Sequence, residues 1–150
     1  MEKYLMQMIM GCIGTVGFAV LFNVRVNKLG YVTAASALSW MGYALCMLSG
    51  TGVFWAFFCG TMVAALISEV LARIVRAPVL MLLVPILIPL IPGGDLYHMM
   101  SNLVRGRESE MLRYASLLLQ EAGAIALGII CSASIMNILM SLKARLPHRS

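Results

Sequence analysis

The chain has 150 residues, of which 61% are hydrophobic and only 11% charged, and its formal net charge is +5. Soluble domains are about 45–50% apolar and about 25% charged. A mean hydropathy of +0.93 therefore excludes an ordinary soluble domain and points to a polytopic membrane protein. The basic excess lies in short loops between apolar runs, where topology determinants sit, and this speaks against a nucleic-acid partner. The longest polar stretch, from Arg105 to Arg113, and the tail after Leu142 are too short to bury a core. Residues 1–150 thus read as a single transmembrane domain, all-α, a helix bundle of about five membrane helices.

The first segment covers about 4–22. Ile9-Met10-Gly11-Cys12 faintly resembles a lipoprotein cleavage box, but the apolar run continues to Phe22, so a retained helix is expected. Gly11, Gly14 and Gly17 recur at every third residue, a pattern that lets membrane helices approach closely. Asn23, Arg25, Asn27 and Lys28 form a basic loop. The second segment covers about 31–48, and Ser49-Gly50-Thr51-Gly52 leaves room only for an antiparallel hairpin. The third covers about 53–72, with Trp55 near its start and Gly60, Ala64 and Ser68 forming a small-residue stripe.

The fourth segment, about 79–104, holds three prolines and a glycine pair in Pro85-Ile86-Leu87-Ile88-Pro89-Leu90-Ile91-Pro92-Gly93-Gly94-Asp95. Each proline removes a backbone donor and crowds the preceding turn. In lipid, the backbone groups so freed need partners in protein or in a water-filled cavity. A break near 92–95 is expected, making either two half-helices of one span or a re-entrant loop. The fifth segment covers about 114–142, with Glu121, Ala124, Gly128 and Ser132 on one face, and Asn137 suited to an interhelical hydrogen bond.

Five crossings put the termini on opposite sides. Seven of the eleven Lys and Arg residues fall in the loops at 23–30 and 73–78 and in the tail with Lys143, Arg145, His148 and Arg149. Lys3, Arg105, Arg107 and Arg113 fall on the other side. The positive-inside rule then places the N-terminus outside and the C-terminus in the cytoplasm, in the cell (inner) membrane. A re-entrant fourth segment would give four crossings instead.

Candidate site residues cluster at the break. Half-helix ends and unwound carbonyls hold substrates in several secondary transporters, which points to Pro89, Pro92, Gly93, Gly94, Asp95, Tyr97 and His98 for substrate. Asp95 is also suited to cap the second half-helix. Intramembrane carboxylates are costly and often functional, so Asp95, Glu69 and Glu121 are candidates for proton or ion coupling. Arg73 at i+4 offers Glu69 a plain surface pairing instead. Asp95 and His98 could form a relay, although a histidine beside Tyr97 is more often packing. The four cysteines lie inside apolar segments without metal-ligand spacing, and no catalytic serine motif or phosphate loop is present. No cofactor, metal or enzymatic activity is expected.

Three motifs carry a family resemblance. Gly17-Phe18-Ala19-Val20-Leu21-Phe22-Asn23-Val24 leads into the basic loop. Glu69-Val70-Leu71-Ala72-Arg73 precedes Arg76-Ala77-Pro78. Ile88-Pro89-Leu90-Ile91-Pro92-Gly93-Gly94 is followed by Tyr97 and Met100. Over about residues 10–142 the chain resembles the small-subunit type of the threonine/serine exporter family. The resemblance implies secondary-active export of small amino acids together with a larger membrane subunit. Some two-subunit relatives are linked to dicarboxylates such as succinate, and Asp95 departs from the commoner pattern in a way that disfavours a dianion. A non-transporting scaffold and a homo-oligomeric channel are the rival readings.

Overall fold

The computed structural model describes residues 2–145 of the chain, with side chains over 5–142. The side chains of Lys3, Lys143 and Arg145, and Pro147, His148 and Arg149 entirely, lie outside the described residues, as do the expectations placed on them. Among the described residues every regular element is helical: α1 (Glu2–Leu21), α2 (Val26–Leu48), α3 (Val53–Val75), α4 (Val79–Leu87), a 3-10 turn (Ile88–Leu90), α5 (Gly93–Val104) and α6 (Glu108–Arg145). Helices α2, α3 and α6 are each long and apolar enough to cross a bilayer. The α4–turn segment reaches that length together with α5, and α1 adds a shorter apolar helix, Leu5–Leu21. That gives three full-length spans, or four with the bent pair as one, and α1 separates this count from the five expected.

Helix bounds differ from the apolar segments where polar residues are helical. Helix α2 begins at Val26 and takes in Asn27 and Lys28, and α6 begins at Glu108 and takes in Glu110 and Arg113. Hydropathy marks where a helix is apolar, not where its backbone starts to coil. The ends of α1, α2, α3 and α5 share one device. A residue at or just past the C-cap takes a left-handed conformation at Asn23, Gly50, Arg76 and Gly106. The next N–H then reaches back to close the last turn, as in Val24→Ala19, Thr51→Cys46, Ala77→Ala72 and Arg107→Asn102. This is the Schellman arrangement, which satisfies carbonyls a helix end leaves open.

Helix α3 is the centre of the bundle, with α2 along one side and α6 along another. The contact is made by small residues. Gly60, Ala64 and Ser68 are buried on α3, and Glu121, Ala124, Gly128 and Ser132 are buried on α6. A methyl group added at Gly128 would stand 3.0 Å from the Thr61 side chain and 3.1 Å from the Phe58 carbonyl. Short polar side chains tie the helices across these seams: Thr15 with Ser36 at 2.8 Å, Ser39 to the Gly60 carbonyl at 2.9 Å, and Ser132 to the Met62 carbonyl at 3.2 Å. Such bonds are worth about 0.6 kcal/mol each within a membrane, so close packing carries most of the cohesion. Asn137 lies off the buried face of α6 and is exposed, so the interhelical bond expected of it is not made.

Partner numbers along α3 and α6 rise together: Thr61 meets Gly128, Met62 meets Ser132, and Arg73 meets Met140. The two helices therefore run in the same direction. Helix α4 starts at the end of the bundle where α3 stops, and α6 starts toward the end where α3 begins. The bent pair α4–α5 thus carries the chain from one end of the bundle to the other.

Candidate transport site at the broken helix

Pro85 lies inside α4 and is buried. Pro89 falls in the 3-10 turn, where Ile91 N–H bonds the Ile88 carbonyl at 3.2 Å in place of an α-helical bond. Pro92 then occupies the N-cap of α5. Gly93 N–H turns back to the Ile91 carbonyl at 2.7 Å instead of continuing to Pro89. The chain bends by 60° across this break. Two sets of groups lose helical partners there: carbonyls at the end of the first half and the first N–H groups of α5. The break begins at Ile88, earlier than expected, because Pro89 already denies the helix a donor.

The turn is held from below by close packing. Gly11 on α1 faces the Pro89 ring, and Gly60 on α3 faces Leu90. A methyl group at Gly11 would stand 2.8 Å from the Pro89 Cβ, and one at Gly60 would stand 3.2 Å from the Leu90 side chain. Of the glycines spaced along α1, Gly11 and Gly14 meet the turn and Gly17 meets nothing.

Asp95 is the third residue of α5, inside its first turn rather than at the N-cap. The helix starts at Gly93 because Pro92 supplies a fixed entry, and a carboxylate within the first turn still faces the positive end of the helix dipole. Helices α5 and α6 fold back on each other about Gly106, and this hairpin brings the Asp95 carboxyl group against Glu121. Glu121 is only 5% exposed, and its Oε2 is buried without a hydrogen-bond partner. A buried polar atom left unpaired is costly, and in native structures such an atom is a place to look for function. Thr61 Oγ1, at the α3–α6 contact nearly two turns farther along the bundle, is also buried and unpaired.

The other expected residues are placed differently. Gly93 and Gly94 are exposed at the mouth of the break. Tyr97 is 67% exposed. His98 stacks on Tyr114 at 5.1 Å between ring centres, which uses the ring for hairpin packing. Glu69 pairs with Arg73 at 2.9 Å near the far end of α3, roughly 20 Å along the bundle from Glu121. The Asp95–Glu121 pairing was not read from the sequence. A hairpin register centred near Glu108, which would oppose residues 95 and 121, is the signal that could have found it.

A family model described as Threonine/Serine exporter, ThrE, matches residues 7–135. The chain belongs to the threonine/serine exporter family. That match covers α1 through most of α6 and includes both the break and Glu121. A membrane transporter of the exporter type, multi-pass and embedded in the bilayer, is what the family and the apolar helices give together. No solved structure matches the chain.

Proposed function

We propose that the chain is the small membrane subunit of a secondary-active exporter of threonine and serine, working with a larger membrane subunit in the cell membrane. The observation that carries this reading is the juxtaposition, at the break of an exporter-family chain, of open backbone groups with the Asp95–Glu121 carboxyl pair. An amino acid offers a carboxylate to the free N–H groups at the start of α5 and an ammonium group to the carbonyls of the turn. Two neighbouring carboxylates repel, and one proton held between them would remove the repulsion. Exchange of that proton against the substrate ammonium would couple efflux to the proton gradient. The same pair weighs against a dicarboxylate cargo, which would meet like charge at the break. Glu69 has a structural use with Arg73, so coupling is assigned to Asp95 and Glu121. The basic loops favour an outside N-terminus and a cytoplasmic C-terminus.

The test is efflux of threonine and serine from loaded cells that express both subunits. Asp95→Asn and Glu121→Gln each lower efflux on the order of tenfold, equivalent to about 1.4 kcal/mol of barrier, at equal membrane abundance. Full efflux from both variants removes the pair from the mechanism. Full efflux by the larger subunit alone makes this chain a scaffold, and downhill ion flux through this chain alone makes it a homo-oligomeric channel.

A further inference from the structure

A second polar feature lies at the opposite end of the bundle. The loop after α1 and the loop after α3 border a half-open cavity of about 510 Å³, lined by Asn23, Arg25, Lys28, Arg76 and an apolar wall that includes Met81 and Leu82. Among the described residues, no acidic side chain lines it beside these three cations. Among the described residues, the ion pairs are Glu69–Arg73 and Glu110–Arg113, so neither Arg25 nor Arg76 is paired. Lys28 donates to the Val75 carbonyl at the end of α3, which fixes its ammonium group at the cavity wall.

The helix starts bordering the cavity add to the same field. Arg25 is the N-cap of α2 and Pro78 the N-cap of α4. Neither start has a side-chain cap or an acidic residue in its first turn. Helices α5 and α6 carry Asp95, Glu108 and Glu110 in those positions, whereas α3, at the other end of the bundle, starts as bare as α2 and α4. A helix start bears a partial positive charge and open N–H donors. Two such starts and three cations, Arg25 and Arg76 exposed and Lys28 half-buried, thus border one cavity with no acidic side chain among the described residues lining it. Arg76 also keeps a left-handed backbone, at φ 49°, in a position where glycine is the easier residue.

We propose that Arg25, Lys28 and Arg76 form a binding site for a phosphate-type anion, carried by a phospholipid headgroup or free in solution. Arginine suits phosphate through paired N–H donors, and the ammonium group adds a point charge. The apolar wall suits the upper acyl chains of a lipid, and basic pockets between membrane helices hold anionic headgroups in this way. The site is separate from Asp95 and Glu121 and does not depend on the exporter mechanism.

The test uses the full chain purified in detergent and offered phosphatidylglycerol, phosphatidylcholine or inorganic phosphate. Retained lipid is read by native mass spectrometry and stabilisation by thermal unfolding. Phosphatidylglycerol is retained roughly tenfold more than phosphatidylcholine. That preference is lost in Arg25→Gln/Arg76→Gln, largely kept in Arg25→Lys/Arg76→Lys, and unchanged in Arg105→Gln/Arg107→Gln at the other end. Stabilisation by inorganic phosphate without a phosphatidylglycerol preference identifies the free anion as the ligand. If the glutamine pair does not fold, displacement of phosphatidylglycerol from the wild type by inorganic phosphate still supports the site. Equal losses in the two glutamine pairs, or no response of the wild type to either anion, overturn it.

Discussion

At the scale of single residues, the glycines of α1 show what pattern reveals and what it hides. Their every-third spacing announces a close helix approach. It does not say that the neighbour is a 3-10 turn 70-odd positions later, nor which glycine touches it, because that depends on where Pro89 stops the α4 helix. The contacts then separate three otherwise similar substitutions. Gly11→Ala drives a methyl group to within 2.8 Å of the Pro89 ring, which cannot rotate away. It should cost about 1–3 kcal/mol, the usual range for overpacking. Gly14→Ala meets only the Ile88 methyl at 3.8 Å, and Gly17→Ala meets nothing. Those two should be neutral or stabilising by up to about 1 kcal/mol through helix propensity. Thermal unfolding of the three variants in the same detergent checks the order, and a Gly11→Ala protein as stable as Gly17→Ala contradicts the packing of the turn on α1.

At the scale of elements, the broken helix was legible because proline and glycine act locally. Three prolines remove three backbone donors wherever the helix runs, and the sequence states their positions. The expected break near 92–95 lies at the glycines, whereas the chain departs from α-geometry at Ile88. Proline acts on the turn before itself, so Pro89 sets the start and Pro92 the end of the break. The Asp95–Glu121 pairing was not legible because it depends on how α5 and α6 pack, which no local pattern states. The sequence placed Glu121 on one face with Ala124, Gly128 and Ser132 without deciding between the interface and the bundle, and all four are buried. If the break handles substrate, restoring donors should impair it in steps. Pro92→Ala returns one N–H and should lower efflux severalfold, and Pro89→Ala/Pro92→Ala should lower it further while membrane abundance holds. Efflux unchanged in the double variant would mean that the bend is only a packing feature.

At the scale of the whole molecule, the question is whether the bent pair takes the chain through the membrane or returns it to the side it came from. Hydropathy leaves both open, because neither half reaches the roughly 20 residues that a spanning helix needs. The direction of α6 discriminates between them. A re-entrant pair would start α6 at the end where α3 stops, and α6 would then run antiparallel to α3. The contacts of Thr61 with Gly128 and of Arg73 with Met140 are instead those of parallel neighbours. The turn at Thr51 and the turn at Arg107 therefore share one face of the bundle, and the loop at Asn27 lies on the other. Single cysteines introduced at these three positions, in a background where Cys12, Cys46, Cys59 and Cys131 are serine, should separate accordingly. A membrane-impermeant maleimide added to intact cells should label Thr51→Cys and Arg107→Cys alike and leave Asn27→Cys unlabelled until the cells are opened. The opposite orientation reverses which set is labelled but keeps Thr51 and Arg107 together, so it would correct the sidedness drawn from the basic loops and leave the broken span intact. Labelling of Arg107→Cys together with Asn27→Cys would instead require a re-entrant loop and a different packing of α6 on α3.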